Sequence, residues 1–192
     1  MRSWLITLVF GGAVLGAAAE VERHEGDIGG APYTVLVPSD WKAGKVFMPV
    51  HGWRPPEAPH LADLDPEFPL YAKLLDAGWI VAKTGFLENG VDHDAHTKAL
   101  WDLRKWIETE VGAIETMVLE GESTAGTLVL RIAEQDSGLA DGVIALGPFV
   151  ELEDETDQYF LQATPKLPSI LMTNMTEITD DLAYAAVAAE AE

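Results

Sequence analysis

A serine flanked by small residues is the feature of this sequence best suited to covalent chemistry. Ser123 lies in the run GESTAG at residues 121–126, between an apolar segment and a segment with helical spacing. A serine on a tight turn between a strand and a helix presents its hydroxyl as a nucleophile. Such a turn strains the backbone, so small residues are required two positions before and after the serine. Gly121 and Ala125 occupy those positions, alanine being the smallest side chain after glycine.

The surrounding pattern predicts the scaffold that would carry this turn. Gly29-Gly30 forms a turn between two predicted strands, the second of which is the run Tyr33-Thr34-Val35-Leu36-Val37, so residues 21–38 predict an antiparallel hairpin. From Lys45 onward, strand and helix patterns alternate, which is typical of a mostly parallel, twisted sheet with helices on both faces. The predicted strands are 45–50, 79–84, 117–119, 141–147 and 169–173, and the predicted helices are 70–77, 94–111, 127–133 and one opening at 180.

Composition excludes several classes of function. The chain has 192 residues, 48% of them hydrophobic, which suits one domain with a substantial core. Its net charge of −20 disfavours binding to nucleic acid and to anionic membranes. Because there is no cysteine, disulfides, thiolate catalysis and cysteine-ligated zinc are excluded. No glycine-rich dinucleotide or phosphate motif is present, so we expect no cofactor.

The first nineteen residues read as a secretory signal peptide. Arg2 supplies the positive start, an apolar centre runs from Trp4 to Leu15, and three alanines at 17–19 form a cleavage site. The apolar centre is too short for a comfortable membrane span. We therefore expect cleavage after Ala19, a domain over residues 20–192, a secreted or periplasmic location, and no membrane partner after cleavage.

Three landmarks together resemble the α/β-hydrolase fold family. His51-Gly52-Trp53 follows the third predicted strand, the Ser123 turn follows the fifth, and Asn174-Met175-Thr176-Glu177 follows the seventh. Residues 29–176 are similar to secreted bacterial serine esterases or peptidases of that family, with a G-x-P-Y, V-P, W, H-G opening. The resemblance implies an α/β fold and hydrolysis of a small-molecule ester or peptide through an acyl-serine. The sequence leaves open whether the substrate is an ester or an amide, and what the oligomeric state is.

The resemblance also implies roles for individual residues. Ser123 would be the nucleophile, and the amides of Trp53 and Thr124 would form the oxyanion hole. Gly52 would let its loop approach the substrate, while His51 would brace that loop rather than act in catalysis. Trp53, Phe86 and Phe149 are candidates for an apolar acyl pocket, although we expect core packing for at least one of them.

The sequence offers two candidates for the catalytic acid and no histidine in the family position for the base. Glu177 matches the family position for the acid that orients a histidine, and Asp180 is the second candidate, although a helix cap suits it better. The family order is serine, acid, histidine, but all five histidines, at 24, 51, 60, 93 and 96, precede Ser123. The expectation is a C-terminally incomplete chain that lacks the last strand and helix and is inactive as it stands.

Two alternatives to this serine hydrolase remain open. The first is a non-catalytic binding or interaction protein on the same fold, because the catalytic histidine is missing. The second is a metal-dependent hydrolase that uses His93 and His96, whose ligand types suit zinc but whose spacing matches no recognised site. A rewired site in which one of these histidines reaches Ser123 is a further variant. A solvated loop that leads into a helix also fits residues 92–96, so we expect no metal.

Overall fold

The chain forms a seven-stranded sheet with four helices in a computed structural model. The structure describes residues 20–42, 44–135, 137–173 and 178–190. The elements are β1 Val21–Ile28, β2 Ala31–Pro38, β3 Lys45–Val50, α1 Pro69–Asp76, β4 Ile80–Thr84, α2 His93–Glu110, β5 Thr116–Glu122, α3 Thr124–Gln135, β6 Gly142–Leu146, β7 Ser169–Met172 and α4 Ile178–Glu190. No helix within the described ranges is long and apolar enough to cross a membrane.

The strand order is β1-β2-β4-β3-β5-β6-β7. β1 pairs antiparallel with β2, and β2 pairs antiparallel with β4. All remaining pairs are parallel. The predicted mostly parallel sheet with an antiparallel hairpin at one edge is therefore confirmed. Since β3 to β7 run in one direction, the loops that follow them gather at one edge of the sheet, which we call the carboxyl edge.

Both faces of the sheet carry apolar side chains, but they are covered unequally. Alternate residues of β3 point to opposite faces, so Val46 and Met48 join the larger core cluster and Phe47 joins the smaller one. α2 and α3 contribute to the larger cluster, whereas α1 contributes Leu75 to the smaller one. The prediction of helices on both faces is confirmed, and the better-filled core lies beneath the helix that follows Ser123.

The start of α2 differs by one residue from the predicted start. We expected the helix to open at Asp94, but it begins at His93. Asp92 is the N-cap, and its side-chain carboxylate accepts a hydrogen bond from the Ala95 amide at 2.9 Å. An aspartate in this position satisfies an amide that would otherwise lack a partner in the first turn. With two aspartates two residues apart, the sequence alone did not decide which one caps.

Candidate active site

Ser123 lies on the sharp turn that its sequence context predicts. β5 ends at Glu122 and α3 begins at Thr124, so a single residue connects strand to helix. The φ of Ser123 is 58°, in the left-handed region that non-glycine residues seldom adopt. Its amide donates to the Leu146 carbonyl at 2.8 Å, and its carbonyl accepts from the Gly126 amide at 2.8 Å. The strained residue is therefore fixed both to the neighbouring strand and to its own helix.

The glycines around Ser123 are explained by the space that is available. A Cβ on Gly121 would lie 2.2 Å from the Ala125 carbonyl oxygen, a distance that no side chain can occupy. A Cβ on Gly126 would lie 3.1 Å from the Cα of Pro148. Ala125 itself is accommodated and buried. An alanine in place of glycine at position 125 thus leaves the turn intact. The positions at which a side chain would clash are Gly121 and Gly126.

The loop after β3 packs directly against this turn. A Cβ on Gly52 would lie 2.7 Å from the Glu122 carbonyl oxygen and 3.3 Å from the Cβ of Ser123. Only glycine therefore allows the loop to come this close. The structure brings together two of the landmarks that are 71 residues apart in sequence, namely Gly52 and Ser123.

His51 holds the carbonyl of the next peptide group. Its Nδ1 donates to the Gly52 carbonyl oxygen over 2.8 Å. The described chain contains no cis peptide bond, so the Trp53 N–H of the same planar peptide points away from that carbonyl. This is the contact that a loop-bracing role for His51 requires, and it was not derivable from the sequence because it depends on the orientation of the ring.

The two amides predicted to form an oxyanion hole are not used elsewhere. In the part of the chain that the structure describes, no hydrogen bond engages the N–H of Trp53 or of Thr124. Thr124 is the first residue of α3, where helix amides lack intrahelical acceptors and carry partial positive charge. Both amides are therefore free to donate to a developing negative charge.

Burial keeps the His51 ring neutral. Desolvation is the main cause that lowers the pKa of His51 to about 4, and the hydrogen bond to Gly52 opposes it. The ring packs on Phe86 with a centroid distance of 4.6 Å, and Phe86 in turn stacks on His96 at 3.9 Å. A neutral ring with Nδ1–H directed at the Gly52 carbonyl suits an orienting group rather than a proton carrier.

The residues that the structure describes supply no base for Ser123. Within them, no side chain hydrogen-bonds the Ser123 hydroxyl. His93 Nε2 donates to the Gln158 carbonyl at 2.9 Å, and His96 Nε2 donates to the Glu88 carbonyl at 3.1 Å. Burial lowers the pKa of both rings. Neither of these two histidines is therefore engaged with the serine.

No metal cluster accompanies these histidines. Across the described ranges, no group of three or more His, Cys, Asp or Glu residues could hold a metal ion. Because their Nε2 atoms already bind backbone carbonyls, His93 and His96 offer little to a shared metal. The metal-dependent alternative thus gains no geometric support here.

Two further predictions concern residues that the structure does not describe. Glu177 lies in the undescribed segment 174–177, and the side chain of Asp180 is likewise undescribed. β7 ends at Met172 and runs parallel to β6, so the chain leaves the sheet at the carboxyl edge, where Ser123 also lies. The role of Glu177 stays a prediction, as does the signal peptide over residues 1–19.

The architecture matches solved hydrolase structures. An esterase from Pyrococcus furiosus aligns with 91% of this chain and 78% of its own, at 14% identity and a TM-score of 0.60. S-formylglutathione hydrolase from Staphylococcus aureus aligns with 93% and 88%, at 14% identity and a TM-score of 0.65. This chain has the α/β-hydrolase fold. An acylaminoacyl peptidase from Pyrococcus horikoshii aligns with 91% of this chain but only 36% of its own, at 16% identity and a TM-score of 0.63.

Sequence comparison adds nothing to this structural similarity. No protein-family model matches the chain, and no curated protein matches it. At 10–16% identity, the structural neighbours establish the α/β-hydrolase fold but do not transfer a substrate. The activity of this chain has to be argued from its own site.

The three aromatic residues considered for an acyl pocket divide into two groups. Phe86 is 1% exposed and belongs to the core, which agrees with the expectation that at least one of them is a packing residue. Trp53 and Phe149 are 54% and 45% exposed. Only these two remain available to a ligand at the carboxyl edge of this α/β-hydrolase fold.

A cavity of about 480 Å³ lies elsewhere in the fold. It is bounded by α3, β7, α4 and the loop before β7, and Leu130, Lys166 and Tyr184 are among its lining residues. Among the described residues, none of those predicted to act in catalysis lines it. Because neither Ser123 nor its neighbouring turn lines this cavity, we do not assign the substrate to it.

Proposed function

We propose that this protein is an exported serine hydrolase that cleaves an ester or amide bond through an acyl-Ser123 intermediate. The observation that carries the proposal is the Ser123 turn, with φ 58° and Gly52 packed against it, next to two amides for which the described residues supply no acceptor. The esterases and peptidases among the structural neighbours support the same class of reaction. Whether the bond that is cleaved is an ester or an amide is a question for experiment.

The proposed reaction uses these groups in sequence. The Ser123 Oγ attacks the substrate carbonyl carbon and gives up its proton to a base, so that a tetrahedral oxyanion forms. The amides of Trp53 and Thr124 donate to that oxyanion, and His51 keeps the Gly52–Trp53 peptide in place. Collapse breaks the bond to the leaving alcohol or amine, which takes a proton. Water then hydrolyses the acyl-serine and restores the hydroxyl.

Removal of the serine proton needs a base, which the described residues do not supply. A serine hydroxyl is barely ionised at neutral pH, and no histidine follows Ser123 in the sequence. Glu177 would orient a histidine rather than replace one. We therefore propose that the 192-residue chain is a poor catalyst, retaining roughly the 10³–10⁴-fold advantage over water that an oxyanion hole and substrate binding provide.

Acylation by an activated ester tests this proposal. The protein is incubated with p-nitrophenyl acetate, with and without added imidazole, and the modified peptide is identified by mass spectrometry. We expect one acetyl group on Ser123 and slow release of nitrophenolate. With imidazole, which would substitute for the missing base, the release should exceed that of imidazole alone and of Ser123→Ala with imidazole. Ser123→Ala is the control and should lose the acetyl group. Acetylation spread over lysines, unchanged in Ser123→Ala, would overturn the proposal.

Export has its own test. We propose that residues 1–19 are removed, because a positive start, an apolar centre and small residues before Glu20 form a signal-peptide pattern. N-terminal sequencing of protein from the medium or the periplasm should begin at Glu20. Recovery of intact Met1 from that compartment would contradict it.

A second candidate is a non-catalytic binding protein on the same fold. It is favoured by one observation, the lack of any described side chain bonded to the Ser123 hydroxyl. On this account, ligand binding would be equal in the parent protein and in Ser123→Ala, and a serine-directed fluorophosphonate would not react. Covalent labelling of Ser123 would exclude it.

A further inference from the structure

Two residues with exposed aromatic rings, Trp53 and Phe149, are held next to the Ser123 turn through their backbones. Trp53 directly follows Gly52, which contacts the turn. On the other side, the Thr127 hydroxyl in the first turns of α3 donates to the Phe149 carbonyl at 2.6 Å. Both rings are anchored through the backbone and yet about half exposed. Large aromatic side chains left exposed next to a reactive group are suited to contact a ligand.

The loops at the carboxyl edge are strongly negative. They comprise residues 51–68, 85–92 and 147–168, and Glu122 joins them at the end of β5. These segments contain twelve carboxylates and only two cations, Arg54 and Lys166. Arg54 is already engaged, because it donates to the Leu61 carbonyl at 3.0 Å and lies 3.5 Å from Asp63. Two cations from neighbouring elements also contact these loops, Lys83 at 3.3 Å from Asp63 and Arg131 at 3.4 Å from the Gln158 carbonyl, and the carboxylates still outnumber the cations.

The sign of this charge decides which substrates can approach. Loops of one sign around a site concentrate ligands of the opposite sign and repel those of the same sign. The face of an indole ring also attracts a cation that lies within about 6 Å of its centroid. An exposed Trp53 in a negative surround therefore favours a ligand that combines apolar surface with positive charge.

We propose that the substrate of the Ser123 site is an ester or amide that carries a positively charged, partly apolar group against Trp53 and Phe149. This inference rests on the proposed function, which it deepens by naming the substrate class. The acidic loops are not themselves the binding site; they set the field in which the two rings and the Ser123 turn meet the ligand. Anionic substrates are rejected and neutral ones are intermediate.

The test compares three ligands that differ in charge. Acetylcholine, its uncharged isostere with carbon in place of nitrogen, and an acetate ester of similar length that carries a carboxylate are titrated into Ser123→Ala. This variant removes hydrolysis, so calorimetry reports binding alone. We expect the cation to bind about tenfold more tightly than the isostere at low salt, and the anion to bind most weakly. The preference should shrink as salt screens the field.

Variants assign the preference to the proposed residues. Trp53→Ala and Phe149→Ala should each weaken acetylcholine binding by about tenfold. Phe68→Ala should not, since Phe68 is an equally exposed ring of the same acidic loops that packs on Tyr71 rather than next to the Ser123 turn. Glu122→Gln should reduce the charge preference more than Glu110→Gln, which changes a residue at the far end of α2. Circular dichroism checks folding, and Trp53→Leu replaces Trp53→Ala if the latter fails to fold.

The outcomes separate this inference from the proposed function. Equal affinities for the three ligands, tighter binding of the anion, or equal effects of Phe68→Ala and Trp53→Ala would overturn the cationic-substrate inference. These results would leave acetylation of Ser123 untouched, because it is measured on the parent protein. Conversely, a charge preference without any acetylation of Ser123 would contradict the proposed hydrolase function and support a cation-binding site alone.

Discussion

The surroundings of Ser123 and the outer edge of the sheet at β7 differ sharply in how tightly they are built. Around Ser123, a single added carbon at Gly121 or Gly52 would collide with backbone atoms. At β7, Ile170 and Met172 are each 56% exposed. The nucleophile and its amides are thus fixed by backbone packing, whereas the segment that leads to Glu177 leaves from a strand with little cover. Local steric constraints therefore determine the part of this site that is made by the backbone, namely the Ser123 turn and its neighbouring amides.

The largest effect should come from filling the space behind the turn. Gly121→Ala would place a carbon 2.2 Å from the Ala125 carbonyl oxygen. Because the nearest atoms belong to the backbone, no flexible side chain can move aside to relieve the clash. We expect a loss of about 4 kcal/mol or more in the free energy of unfolding, measured by urea denaturation. Gly78→Ala is the control, because Gly78 has a φ of +75° but open space, and should cost about 1–2 kcal/mol. Equal losses would contradict the steric account.

A matched pair of methionines compares the two regions directly. Met117 in β5 is 0% exposed, and Met172 in β7 is 56% exposed. Met117→Ala should lower the free energy of unfolding by about 2–5 kcal/mol, because it leaves a cavity in the core. Met172→Ala should change it by no more than about 0.5 kcal/mol, as surface substitutions usually do. If Met172→Ala costs as much as Met117→Ala, β7 is covered by more than the described contacts.

His51 gives the Ser123 region a pH dependence. Its pKa is lowered by burial to about 4, below the ordinary value near 6.5, so between these pH values the unfolded chain binds a proton that the folded chain does not. Stability conferred by this ring is present above pH 6.5 and is lost as the pH falls towards 4.

Between pH 7 and pH 4, the free energy of unfolding should fall by about 2–3 kcal/mol less in His51→Gln than in the parent protein. His60→Gln, on the loop that follows, is the matched control. An unchanged profile in His51→Gln would mean that the ring is not the buried neutral group described here.

The smallest effect is expected in the middle of the C-terminal helix α4. The Tyr184 hydroxyl donates to the buried Glu134 carboxylate at 3.2 Å and so links α4 to α3. Tyr184→Phe removes that bond and should lower the free energy of unfolding by about 1 kcal/mol. Tyr159→Phe, at a partly exposed tyrosine, should change it by less than about 0.5 kcal/mol. Indistinguishable variants would argue against a stable link between α3 and α4.

Much of the fold could be predicted from the sequence because its signals are local. The Gly29-Gly30 turn and the alternation of strand and helix patterns gave the hairpin and the parallel sheet. Element ends were less accurate. α3 begins at Thr124 rather than at 127, because Ala125 and Gly126 are held in the helix by burial against the core and Pro148. Propensity alone does not report such contacts.

The candidate site was predictable to the extent that it depends on the backbone. The spacing of glycines around Ser123 and after His51 is a steric requirement, and it can be read without coordinates. The His51 bond to the Gly52 carbonyl depends on ring orientation, and the burial of Phe86 depends on tertiary packing, so neither had a sequence signal. The base for Ser123 has no sequence signal, because no histidine follows that serine, and Glu177 lies in a segment that the structure does not describe.

Covalent labelling of Ser123 tests the central claim most directly. The parent protein and Ser123→Ala are treated with a fluorophosphonate, digested, and mapped by mass spectrometry. The account predicts a single phosphonylated residue, Ser123, formed slowly and accelerated by imidazole, and none in the variant. Intact, folded protein that stays unlabelled at Ser123 even with imidazole, or that is labelled elsewhere to the same extent, would contradict it.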